Sequence, residues 1–249
     1  MSAYFRLIAF DFRLYLRDWM TIFWVLVYPV LMLLIFGSLF GEEAGADPGT
    51  RYIDYYVPAL CVMSVLSVGV FTLNINMITY RESGILRRFR VTPLRKSAVL
   101  VSHFIQGLVL IVLGAIEVIV IAKLVWNIDI TFGGAALLLL VMLIGAIGCF
   151  CLGFALSGLV STPGAASGVA MAIFFPMLFL SGIAMPLSIF PEFMKAISKA
   201  IPMTYFVELA QGVWQGHSVS GYGAQLAVLA GFAIVCGVLA LRLFRWENR

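Results

Sequence analysis

Six apolar runs divide the chain, at about 20–40, 57–80, 98–125, 133–160, 165–185 and 222–244. Each has the length of about 20 residues that a helix needs to cross roughly 30 Å of hydrocarbon. The runs are continuous rather than alternating, which predicts helices and excludes barrel strands. The first run starts too late, is too long and lacks a small-residue cleavage site, so it reads as a span rather than a signal peptide.

Between the runs the pattern changes. Residues 3–18 are broken by Arg6, Asp11, Arg13, Arg17 and Asp18 and cannot be a span. At about 100° per residue the three arginines form one stripe. Tyr4, Ile8, Phe12, Tyr15 and Trp19 gather opposite, the pattern of an amphipathic helix lying on a membrane surface. It serves either as an anchor or in coupling. Before the last run, Pro202 divides 187–216 into two short helical pieces, about 191–201 and 203–215, neither long enough to cross. Phe193, Ile197, Phe206, Leu209, Val213 and Trp214 make the pair too apolar for a water-facing loop. A re-entrant hairpin buried against the spans is expected.

Composition fits this picture. Hydrophobic residues are 63% of the 249 and charged residues 11%, less than half the charged share of a soluble domain. Mean hydropathy is +1.07. A soluble enzyme, a disordered chain, a nucleic-acid binder and a disulfide scaffold are all excluded. The net charge of +4 matters less than its placement. Twelve Lys and Arg fall at the two termini and in the 81–97 loop, against four in the connections on the other side. Positive charge marks the cytoplasmic face, so both termini are expected inside a multi-pass protein of the cell membrane.

Little in the chain points to catalysis. There is no Gly-x-x-x-x-Gly-Lys-Ser/Thr loop and no Gly-Lys pair, so no ATP site of that kind. Cys61, Cys149, Cys151 and Cys236 sit in apolar runs without metal-ligand spacing and read as small buried hydrophobes. Ser157 and Ser181 precede glycines, but His103 lies near the inner end of its span, which argues against an intramembrane serine protease. Glu117 is the carboxylate that falls inside an apolar run, about 30 Å along its helix from the 81–97 loop. It reads as a structural group satisfied locally by Lys123, with a proton relay as the other reading. Asn74 and Asn76, with Phe71 and Phe175, are candidate path-lining residues; interhelical hydrogen bonding is the alternative for the asparagines. The pairs Gly145/Gly148 and Gly164/Gly168 are spaced for close helix packing.

The 81–97 loop mixes six cations with Leu86, Phe89 and Val91. A topological anchor needs only the cations; apolar side chains within a charged rim fit a docking surface. Its Glu82, Gly84 and Leu86, followed by Arg87, Arg88 and Pro93, resemble the Glu-x-Gly-Thr-Leu-x-Arg and later proline of the permeases of ABC-2 type transporters. Ile85 replaces the usual threonine. Leu180-Ser181-Gly182, Met185-Pro186, Phe190-Pro191 and Ile201-Pro202-Met203-Thr204-Tyr205 resemble that family's segment before its last span. The chain thus resembles an ABC-2 permease over nearly its whole length, as a single transmembrane domain, 1–249.

The resemblance implies an all-α integral membrane fold with six spans. It implies a partner, a separate ABC ATPase that binds ATP and Mg, docked on Glu82, Gly84, Leu86, Arg87, Arg88, Phe89 and Pro93. It implies a second permease chain, the same or different, with membrane lipid around both. No cofactor, metal, catalytic residue or nucleic acid is expected on this chain. The compact size and the Ile-Pro-Met-Thr-Tyr segment look more like exporters of drugs and antibiotics than like exporters of polysaccharide or lipid-linked glycan.

Overall fold

The computed structural model describes residues 19–43, 50–84 and 96–243. The 3–18 helix and Leu86, Arg87, Arg88, Phe89 and Pro93 lie outside the described residues. The described part is helical: α1 (Phe23–Phe40) and α2 (Tyr52–Glu82), α3 (Lys96–Trp126), α4 (Phe132–Ser157) and α5 (Pro163–Leu180), then α6 (Glu192–Ser198), α7 (Pro202–Trp214) and α8 (Gly223–Leu243). Among the described residues six helices are long and apolar enough to cross a membrane, namely α1, α2, α3, α4, α5 and α8 with the turn before it.

Local chemistry sets the boundaries. Thr131 caps α4 by accepting from the Gly134 amide at 3.2 Å. Thr162 caps α5 in the same way at Ala165, with Pro163 in the first turn. Pro202 opens α7. The fifth span ends at Leu180 rather than near Met185, because Gly182 turns into the left-handed region at φ +86°. At the other boundary of interest α2 ends at Glu82 and Gly84 takes φ +70°. A Cβ there would meet nothing within 4 Å, so the glycine answers a backbone requirement and not a steric one.

Packing centres on α2, whose most apolar window is wholly buried, whereas α8 exposes most of its surface. α4 lies along α8 and crosses α2, and α7 wedges among α2, α4 and α8. At the α2–α4 crossing the backbones touch. A Cβ on Gly153 would sit 2.0 Å from the Gly69 carbonyl oxygen, and one on Gly69 would sit 2.4 Å from that of Cys149. No larger residue fits either position without parting the helices. Gly145 and Gly148 do admit neighbours, the rings of Phe206 and Phe232. Gly164 and Gly168 face open space, contrary to the expectation from their spacing. Spacing fixes a shared face but not a partner for it.

Both short helices of the expected hairpin are present, and they differ. α7 buries Met203, Phe206, Leu209, Ala210 and Val213 against the spans. α6 does not follow the expectation of burial: Phe193 is 66% and Ile197 48% exposed. Phe193 and Ile197 stand four residues apart on one face of α6, and that face turns away from the spans rather than onto them.

Candidate functional site

α2 connects three places where the chemistry departs from plain apolar packing. At its loop end, just before residue 85, Arg81 turns back into the protein rather than toward the loop. The guanidinium is buried and donates to the carbonyls of Ser157, at 3.0 Å, and Val160. Ser157 is the last residue of α4, where carbonyls lack partners within the helix and the dipole favours a cation, and Val160 lies in the turn that follows. Glu82 next to it is exposed. About two helical turns back, Asn74 is fully buried and donates from Nδ2 to the Ala166 carbonyl of α5 at 3.4 Å. Asn74 thus makes the interhelical bond that was the alternative to path lining, and Asn76 is half-buried beside it. His103 of α3 packs edge-on to Tyr80, ring centroids 4.9 Å apart. Ser181 lies at the opposite end of the bundle, so no Ser–His pair forms there.

The middle is aromatic. Trp24 of α1 stacks flat on Phe71 of α2, with centroids 4.7 Å apart and planes 5° from parallel. Phe174 of α5 meets Phe71 edge-on at 5.1 Å, and Phe175 meets Trp24 at 6.0 Å. Phe71 is closed inside this cluster, 1% exposed, while Phe175 sits at its half-buried edge. Both helices carry a π-helical segment here, Phe23–Val27 in α1 and Val68–Leu73 in α2. Such segments are rare and recur at functional positions. The Trp24 indole nitrogen and the hydroxyls of Ser67 and Thr72 are buried without hydrogen-bond partners among the described residues. A π turn inserts one residue into a helix and leaves no mark in composition, so sequence reasoning missed both segments and the Trp24 stack they carry.

At the hairpin end, α1, α2, α7 and the stretch after α5 enclose a cavity of about 430 Å³. Its lining includes the rings of Phe36, Phe40, Tyr52 and Tyr56 and the exposed carboxylates Glu43 and Glu208. Tyr52 and Tyr56 stack at 5.2 Å, and Phe40 and Phe36 meet them edge-on or tilted at 5.9 and 5.8 Å. Gln211 donates to the Tyr55 carbonyl at 3.2 Å and ties α7 to α2.

The remaining charges at this end are mostly committed. Arg51, before α2, donates to the last carbonyl of α3, Trp126, at 3.1 Å, and pairs with Asp54 at 3.4 Å and Glu42 at 3.5 Å. Lys123 donates to the Ile128 carbonyl at 2.7 Å. It therefore does not satisfy Glu117 as the sequence led us to expect. The two lie six residues apart on a continuous helix, about 240° around it, on different faces. Glu117 is half-buried and makes no ion pair or hydrogen bond with the described residues. Cys61, Cys149 and Cys236 are buried, Cys151 is half-buried, and all four are free thiols.

With this geometry in hand, relatives can be placed. Residues 2–214 match the family model described as ABC-2 type transporter. The daunorubicin resistance ABC transporter permease protein DrrB1 of Streptomyces coeruleorubidus is 28% identical over 228 residues, covering 90% of this chain and 79% of that protein. The inner membrane transport permease YadH of Escherichia coli (strain K12) is 22% identical over 247 residues, covering 94% and 93%. The probable multidrug ABC transporter permease YbhR of the same strain is 25% identical over 170 residues, 68% of this chain but only 45% of that protein. A helical bundle with six spans that matches a transporter family over most of its length is a multi-pass transport protein. The chain belongs to the ABC-2 type transporter family.

Proposed function

We propose that this chain is the permease subunit of an ATP-driven exporter for amphipathic small molecules such as drugs or antibiotics. Two permease chains form the path, and a separate ABC ATPase, carrying ATP and Mg, docks on the 81–97 loop. The observation that supports this most is the course of α2. One continuous, fully packed helix leads from the hairpin-end cavity past the Trp24–Phe71 stack to Arg81, Glu82 and Gly84, where the loop begins. A displacement of the loop is transmitted along such an element because packed helices move as units. The cavity volume lies in the range that holds a drug-sized molecule. The relative DrrB1 is named for resistance to daunorubicin, which agrees with a small amphipathic substrate.

In this reading the loop end faces the cytoplasm, both termini are inside, and the protein sits in the cell membrane. The α6–α7 hairpin dips into the outer leaflet, where exposed Ile189, Phe193 and Ile197 meet lipid. In the loop, Leu86 and Phe89 are apolar knobs three residues apart, and Arg87, Arg88 and Arg90 form their rim.

Co-purification with the ATPase and substrate-stimulated ATP hydrolysis test the assignment. Leu86→Asp and Phe89→Asp should each detach or uncouple the ATPase while the permease stays in the membrane. Arg95→Ala should matter less. Intact assembly and full stimulation in both aspartate variants would reduce the loop to a topological anchor. Orientation is read from single cysteines in a cysteine-free background. One at Asp47 should react with an impermeant thiol reagent in intact cells and one at Ser83 should not; the reverse pattern inverts the topology.

A further inference from the structure

The cavity at the hairpin end has a definite charge. Among the described residues its lining holds two carboxylates, Glu43 and Glu208, and no lysine, arginine or histidine. Neither carboxylate is neutralised by a described residue. Glu208 accepts a hydrogen bond from the Gln225 side-chain amide at 3.2 Å, a neutral partner. The nearby guanidinium of Arg51 is committed to Glu42, Asp54 and the Trp126 carbonyl, and Lys195 to Glu192. The same lining holds a joined set of rings in which Tyr52 and Tyr56 stack and Phe36 and Phe40 flank them. Ring faces attract cations and are indifferent or unfavourable to anions. A further polar group stands in the wall. Ser181 is fully buried, lines the cavity, and its hydroxyl has no hydrogen-bond partner among the described residues.

From this combination we propose that the hairpin-end cavity binds amphipathic organic cations, molecules with one positive charge among apolar groups. The proposal rests on the permease reading and narrows its substrate class. The rings take the apolar groups and the ring-facing side of the cation. Glu208 and Glu43 supply counter-charge at the mouth, and Ser181 offers a hydrogen bond to a polar substituent. Because both carboxylates are exposed to solvent, their contribution is screened and falls as salt rises. A volume of about 430 Å³ admits a molecule of a few rings.

Tetraphenylphosphonium and tetraphenylborate have nearly the same shape and opposite charge, so their difference isolates the electrostatic part. Binding is measured on the full chain in lipid nanodiscs, with empty nanodiscs subtracted to remove partitioning into lipid. The phosphonium should bind saturably, about tenfold or more tighter than the borate at low salt. The double variant Glu43→Gln/Glu208→Gln should close most of that gap and remove most of its salt dependence. Tyr52→Leu should weaken the phosphonium several-fold and leave the salt dependence in place. Unchanged thermal exposure of the buried Cys61 and Cys149 thiols verifies that each variant is folded. Equal saturable affinity for the two ions, or a charge preference that survives the double variant, overturns the proposal. ATPase co-purification reports on the permease reading separately, so an assembled complex with no charge preference sinks only the cation site.

Discussion

Both ends of α2 are held by an arginine that caps the C-terminus of a neighbouring helix, and the two arginines do it in opposite surroundings. Arg51 reaches the last carbonyl of α3 with two carboxylates beside it and a third of its side chain in solvent. Arg81 reaches the end of α4 from a buried position, with the carbonyls of Ser157 and Val160 as its acceptors there. At Arg51 the ion pairs add to a junction that solvent also supports. At Arg81 the guanidinium and the helix end satisfy each other, and removing one strands the other in a dry place. The rigid junction is therefore the one next to the 81–97 loop, where an input from an ATPase would enter. The looser one borders the cavity.

The largest effect should follow from Arg81→Ala. It removes charge-assisted hydrogen bonds to the buried Ser157 carbonyl and the part-buried Val160 carbonyl, a loss of about 3 kcal/mol. Thermal unfolding in detergent, followed by a dye that reacts with Cys61 and Cys149 as they become exposed, measures it. Both bonds come from one guanidinium nitrogen, Nη2; Arg81→Lys keeps the charge but has a shorter reach and different donor geometry, and should recover about half. An Arg81→Ala protein as stable as the parent would mean that solvent already serves the end of α4.

How much of this contrast the sequence carries is instructive. The spans are legible because apolar windows of that length, nearly free of charge, are what a helix needs to cross a bilayer. The observed bounds agree with the apolar runs to within about five residues, and the largest differences, the start of α2 and the end of α5, fall where charge or glycine rather than hydropathy decides. The loop was legible as a motif. Arg81 was not: it counted as one more cytoplasmic cation beside Arg87 and Arg88, because counting places a charge on a side of the membrane and does not say which way its side chain turns. The Gly69–Gly153 crossing was missed for a related reason. Its glycines lie on different helices, and spacing along one helix cannot pair them. The cavity joins residues from α1, α2 and α7, and that proximity exists only in the folded chain.

Arg51→Ala should cost less, about 1–2 kcal/mol, since its carboxylate partners are partly solvated and the Trp126 carbonyl becomes accessible to water. Its cost should shrink as salt rises, whereas that of Arg81→Ala should not, because buried pairs are screened far less. Equal salt dependence in the two variants would erase the distinction between the junctions. Glu42→Gln sharpens it further. Glu42 is 72% exposed and its 3.5 Å contact is the longest of the Arg51 set, so a change of less than about 0.5 kcal/mol is expected.

The smallest effect should come from a charge that belongs to neither junction. Glu117 sits half-buried on α3 without a partner among the described residues, and Lys123, the cation nearest in sequence on the same helix, is occupied by the Ile128 carbonyl. The two arginines show what a charge with a structural task looks like here, each donating to carbonyls that end a helix. Glu117 does nothing comparable, and Glu117→Gln preserves its shape and most of its hydrogen-bonding capacity. Stability should stay within about 0.5 kcal/mol of the parent, and transport should be near normal across pH. Ionisable residues inside spans are costly, which gives a strong effect here a specific meaning. If Glu117→Gln removes transport and alters its pH profile while the thermal midpoint holds, the carboxylate takes part in proton movement. The contrast between the ends of α2 would then have to be extended to a third charged site with a dynamic task.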